Sequence, residues 1–149
     1  MESHGRAASW ISWLGVSLAA LGIADATWLT ITHYTAKVAL VCPDTGIINC
    51  AKVTASSYSM ILGIPVALLG LGFFVTMLLL QLPAAWQTKN SYLIWGRLAL
   101  AASGILMVFW LVYVELFRLN AICLYCTGSH VLAFLLFVVT AIGTAQLAE

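Results

Sequence analysis

The stretch Asn120–Leu147, NAICLYCTGSHVLAFLLFVVTAIGTAQL, decides how the chain is read. It sets Cys123 and Cys126 three residues apart, adds His130 one turn later, and then runs to Leu147 without a charged residue. A helix crosses the hydrocarbon core of a bilayer with about 20 apolar residues. Ala121–Leu147 therefore reads as a membrane-spanning helix with a thiol pair at its mouth.

Working outward, the rest of the chain fits the same solvent. Charged residues are 7% of the 149 positions and hydrophobic ones 63%, against about 25% charged in ordinary soluble domains, and the mean hydropathy is +1.05. Three further stretches are long enough to span: Trp10–Tyr34, Leu62–Leu82 and Tyr92–Phe117. The expected fold is an all-α integral membrane protein, residues 1–149 forming one four-transmembrane-helix bundle with a single long outer loop, 35–61, between the first two helices. Pro83 is the expected stop of the second helix, and Lys89-Asn90-Ser91 the polar turn and cap before the third. Arg6 ahead of an apolar run and Ala24-Asp25-Ala26 resemble a secretory signal, but the run continues through TWLTITHY, Thr27–Tyr34, and is read as a retained helix. A net charge of +1 without blocks of like charge argues against nucleic acid as a partner.

Lysine and arginine do not settle orientation: Arg6, Lys89 and Arg97 fall on the side of the termini, Lys37, Lys52 and Arg118 on the side of the long loop. Cysteine does. Cys42, Cys50, Cys123 and Cys126 all fall on the long-loop side, and disulfides persist outside the cytosol. The expectation is an integral membrane protein with cytoplasmic termini and cysteines facing the periplasm or its equivalent. Trp10, Trp13, Trp86, Tyr92 and Trp95 read as the inner aromatic belt, Tyr34, Tyr58, Tyr113 and Tyr125 as the outer one.

Chemistry follows from where the thiols stand. A helix N-terminus presents unpaired N–H groups and the positive end of the dipole, which stabilise a thiolate. Cys42 and Cys50 flank the turn-rich PDTGIIN and can form a mobile pair, either member of which can visit Cys123 through a mixed disulfide. The chain shows no dinucleotide fingerprint, haem signature or phosphate loop. No metal, haem or flavin is therefore expected, and a lipid-soluble quinone is the expected electron acceptor.

Plainer readings exist for the same residues. The cysteines can staple a non-catalytic subunit, hold zinc, or carry soft metals through a transporter. Zinc sites usually join two short-spaced pairs, whereas the loop cysteines have seven residues between them. A soft-metal path needs cysteines at several depths. Asp25 and His130 are intramembrane ionisable residues, each either functional or satisfied by a helix neighbour. Glu115 and Arg118, one turn apart, read as a surface ion pair of little energy.

In this order, CPDTGIINC, TASSYSMILGIP and CLYC at the head of the last helix, the chain resembles the vitamin K epoxide reductase family over nearly its whole length. The resemblance implies that Cys126 faces the quinone, that Cys123 exchanges with Cys50, and that Cys42 meets an outside partner. It also implies a site role for Ser56. His130 stands where the epoxide-reducing vertebrate enzymes carry tyrosine, and Ser59 approximately where they carry a ring-binding asparagine. The match is therefore better to stand-alone bacterial members without a fused thioredoxin-like domain. These imply reduction of ubiquinone or menaquinone and a separate periplasmic, DsbA-like thioredoxin-fold partner, with vitamin K epoxide reduction as the alternative. Tyr58 joins Ser56, Ser59 and His130 as an expected quinone contact because it stands near the thiols. The other four-helix disulfide oxidase family carries its CxxC in the first outer loop and fits less well.

Overall fold

The computed structural model describes residues 2–35 and 42–148, and of residues 2–8 the backbone alone. Lys37 and the rest of 36–41 lie outside the described residues, as do the side chains of His4 and Arg6.

The chain is mostly helical. Helix α1 spans Glu2–Tyr34, a short α2 Cys50–Thr54, α3 Val66–Gln81, a short α4 Pro83–Gln87, α5 Ser91–Tyr113 and α6 Leu124–Ala148. Among the described residues three stretches have the length and hydropathy to cross a membrane: Ser9–Tyr34, Ser91–Leu119 and Leu124–Ala148. In none is more than 33% of the apolar window buried inside the protein. Residues such as Leu106 (71% exposed) and Phe109 (68%) instead present their side chains outward, as a lipid solvent allows.

The second apolar helix differs from expectation. It begins at Val66, not Leu62, and its 16 residues give it a length of about 24 Å. The four residues lost to it belong to a six-residue hairpin: β1, Met60–Ile61, pairs antiparallel with β2, Ile64–Pro65, across Leu62 and Gly63. Both turn residues have positive φ, +52° and +81°, as a two-residue hairpin turn of the primed type requires. Pro65 is consequently the extended residue that precedes α3 rather than a member of its first turn. At the other end Leu82 turns to ψ 144°, and Pro83 ends α3 as expected while opening α4 at a position where its missing N–H costs nothing. Asn90 caps α5, its side-chain oxygen accepting from Tyr92 N at 3.0 Å.

The core runs down the middle of the bundle through Leu18, Ala19 and Ala26 of α1, Phe74 and Met77 of α3, Ala101 of α5, and Ala133 and Leu136 of α6. Small residues let the helices close on one another. A Cβ built on Gly22 would stand 2.3 Å from the Phe74 ring, so α1 meets α3 there only because Gly22 has no side chain.

The end of the bundle near the termini is closed by a polar clasp. Buried Gln81 donates to Thr140 Oγ1 at 2.6 Å and accepts from Trp86 Nε1 at 3.0 Å, while its main-chain carbonyl accepts from Ser12 Oγ at 2.6 Å. The Arg97 guanidinium lies 3.4 Å over the Trp86 ring and donates to the Leu80 carbonyl at 3.0 Å. Trp86 and Arg97 are thus interior groups, 5% and 1% exposed. The belt position read for Trp86 gives way to this stacked pair, because a short α4 folds the indole back under the bundle.

Candidate redox site

At the opposite end the chain gathers its sulfur. Cys42 and Cys50 are joined as a disulfide, and Cys123 and Cys126 are free thiols. Cys50, Val53, Ala121 and Cys123 form one buried apolar cluster, with Cys42 and Cys126 packed on its edge. All four cysteines therefore share one small volume.

Backbone hydrogen bonds, more than sulfur, bring the two pairs together. Ile122 N donates to Ile47 O at 2.8 Å and Asn49 N to Ile122 O at 3.0 Å, a parallel bridge between the loop and the residue just ahead of Cys123. The loop was expected to swing as an arm, but its Cys50 half is docked. Asn49 caps α2 by accepting from Lys52 N at 2.9 Å, and Cys50 opens that helix with 2% exposure. Cys42, at the other end of the disulfide, is only half-buried.

Cys123 does not sit in the first turn of α6, as the i, i+3 reading had it, but immediately before it. Its sulfur accepts from Cys126 N at 3.4 Å, in the position of an N-cap side chain. The helix dipole and its free N–H groups thus converge on this sulfur. The Cys126 thiol, donating to the same sulfur, holds the Cys123 thiol below its ordinary range despite burial and the negative Glu115 carboxylate.

Glu115 is the residue that sequence reasoning misplaced. It is 6% exposed, and its Oε2 accepts a long hydrogen bond, 3.4 Å, from Cys123 N. Arg118 is exposed and lies 5.7 Å over the Tyr58 ring, so the expected surface pair is replaced by two separate contacts. The reason is local winding: Val114–Leu119 forms a π-helical turn that ends at Asn120 in the left-handed region, φ +48°. α-Helical spacing fails across such a turn. A carboxylate in so apolar a segment was the available signal.

Between α1, α3, α5 and α6 a cavity of about 120 Å³ opens beside Cys126. The four expected contacts, Ser56, Tyr58, Ser59 and His130, all line it, and so does Glu115. The serine hydroxyls turn to the main chain, Ser56 Oγ donating to Val53 O and Ser59 Oγ to Ser56 O. A second, larger cavity of about 460 Å³ continues from it between α3 and α5, floored by Gly70, Gly72 and Gly104 and walled by Phe73 and Met107. Both cavities touch Ser129 and His130. Asp25 is absent from their linings; its carboxylate accepts a short hydrogen bond from Ser129 and ties α1 to α6. That is the interhelical bond named as its plainer role.

The arrangement joins a disulfide with one half-buried and one buried cysteine, a free thiol pair at a helix mouth and an apolar cavity beside Cys126. Among curated proteins no match to the chain is found. A family profile does match, from residue 13 to residue 141, taking in both cysteine pairs, all of α3 and α5 and most of α1 and α6, and on that ground the chain belongs to the vitamin K epoxide reductase family.

Proposed function

We propose that the protein is a membrane thiol oxidoreductase that forms disulfides in a separate thioredoxin-fold, DsbA-like partner and passes the electrons to ubiquinone or menaquinone. The observation that carries this is the sharing of one apolar cluster by a disulfide and a dithiol, with Cys126 of the dithiol on the wall of the cavity. Three exchanges balance. A partner dithiol reduces Cys42–Cys50 and leaves as a disulfide. The loop dithiol then reduces a Cys123–Cys126 disulfide by way of a Cys50–Cys123 bond. Finally the inner dithiol loses two electrons and two protons to the quinone, giving quinol. The observed pairing corresponds to the state that precedes this last step.

Burial supports the assignment of roles within each pair. Cys42 is the more accessible member of the loop disulfide and suits attack by a partner, while Cys50 lies inside the cluster with Cys123. Cys126 faces the cavity, where Tyr58 and His130 can hydrogen-bond a quinone ring, while Ser56 and Ser59, their hydroxyls turned to the Val53 and Ser56 carbonyls, form part of its wall. The continuing hollow between α3 and α5 suits an apolar tail. In this reading α3 is a fourth, short crossing, completed by its flanking residues or by a thinned bilayer, the termini are cytoplasmic and the cysteines periplasmic.

The test is absorbance of added quinone while reduced thioredoxin-fold protein is titrated into the purified protein. One quinol per partner disulfide is expected. Partner oxidation without quinol, or no oxidation at all, overturns the proposal.

A further inference from the structure

Two protons must leave the inner dithiol when it becomes a disulfide, and the cluster that holds it is closed to water: Cys123 has no exposed surface. We propose that Glu115 is the group that takes the first of these protons, from Cys123, holds it inside the site and returns it to the reduced quinone. The inference rests on the quinone reading above.

Three observations converge on this carboxylate. It is buried yet touches the reacting residue, with Oε2 on the backbone N–H of Cys123. It lines the same cavity as Cys126 and His130, so a proton on it need not cross the apolar cluster to reach a ring bound there. And it is turned inward by a π-helical turn, Val114–Leu119, a distortion frequent at functional sites and one that an α-helix would not tolerate without cause.

The balance is simple. In the resting reduced pair the Cys123 thiol gives its proton to the Glu115 carboxylate, and the thiolate left behind is stabilised by Cys126 N–H and by the Cys126 thiol. The site keeps a single negative charge throughout. Placing that charge on both thiolate and carboxylate at once would set two anions side by side in an apolar volume. When the pair closes to a disulfide, two electrons pass to the quinone with two protons, one from Cys126 and one from Glu115. Glu115 is then again an anion, ready for the next dithiol. The other titratable groups around it are Cys126 and His130 of α6, His33 of α1 and Tyr58. Asp25 of α1 is engaged by Ser129, and Arg118 lies over Tyr58.

Glu115→Gln keeps the shape and the oxygen that accepts from Cys123 N but cannot take a proton. Single-turnover quinone reduction by the pre-reduced variant should fall by about 10²- to 10⁴-fold near neutral pH. It should recover as pH rises and bulk base substitutes, and Glu115→Asp should restore part of the rate. A second readout needs no quinone. The infrared difference spectrum between chemically reduced and oxidised wild-type protein should show a protonated carboxyl stretch in the reduced form only, lost in Glu115→Gln and retained in Asp25→Asn. Wild-type rate and pH profile in Glu115→Gln, or the absence of that band from wild type, overturns the inference. Failure of the wild-type protein to reduce quinone, with the band present, counts instead against the quinone reading.

Discussion

The two ends of the bundle are both polar, and they are built on opposite principles. At the clasp, Ser12, Gln81, Trp86 and Thr140 are locked in a network in which Gln81 makes three bonds of 2.6–3.0 Å. At the sulfur end the Cys123 sulfur accepts from Cys126 N at 3.4 Å, an ordinary reach for sulfur, but the Cys123 N–H meets the Glu115 carboxylate only at 3.4 Å, and a cavity stands beside them. One end spends its polar groups on holding helices together and the other leaves them room to react. A closely bonded network rigidifies, even with Nε and Nη2 of the adjoining Arg97 left without a partner; a loosely bonded one can exchange partners during a reaction.

The largest effect that would break this contrast belongs to Cys126→Ala. It should abolish quinone reduction by reduced partner, a loss of more than about 10³-fold on a nucleophile of this kind, while leaving thermal unfolding in detergent nearly unchanged. The same variant sharpens the electrostatics. It removes the thiol that donates to Cys123, so the Cys123 thiolate, followed by its ultraviolet absorbance, should titrate at higher pH than in the reduced wild type. The sign for stability follows from the depressed value. In the reduced wild type the stabilising contribution of Cys123 is fully present above the unfolded thiol value of 9.0 and is lost as pH falls through the depressed folded value.

The clasp should behave in the reverse way. Gln81→Leu leaves the Trp86 N–H without its acceptor, at roughly 1–3 kcal/mol for a buried group left unpaired, and lowers the unfolding midpoint with turnover per folded molecule unchanged. Gly143→Ala drives a Cβ to 2.2 Å from the Trp86 ring, an overpacking of about 1–3 kcal/mol, read by the same melt. Smallest is Asn49→Ala at the sulfur end, which removes the cap of α2 at about 1 kcal/mol. It should appear as faster reduction of Cys42–Cys50 by a small thiol, not as a change in global unfolding. A clasp variant that lost turnover, or a sulfur variant that lost only stability, would erase the distinction.

The legible part of this architecture is the part governed by hydropathy and by chain order. The outer apolar runs, the caps at Pro83 and Asn90 and the crowding of cysteines onto one face all follow from composition and from single-residue conformational rules. What was not legible depends on winding and on distant partners. Leu62 reads as a helix former, and only pairing between Met60 and Pro65 shows that it occupies a hairpin turn. Glu115 and Arg118 are neighbours on an α-helix and strangers on a π-turn. Trp86 looks like a membrane anchor until the Arg97 guanidinium is found against its ring. Gln81 gives no hint of its role, because Thr140 and Ser12 are far away along the chain.

The parallel bridge between the loop and Ile122 has a consequence for how such a relay can diversify. The spacing between donor and acceptor sulfur is set by main-chain atoms, the carbonyls and amides of Ile47, Asn49 and Ile122, which every residue type except proline supplies. The side chains of Pro43, Thr45 and Ile47 in that loop are exposed and take no part in the bridge, while exposed Asp44 only accepts from Gly46 N within the loop. In the relay proposed above, a new client protein would therefore be accommodated by changing the surface it reads without retuning the gap that electrons cross.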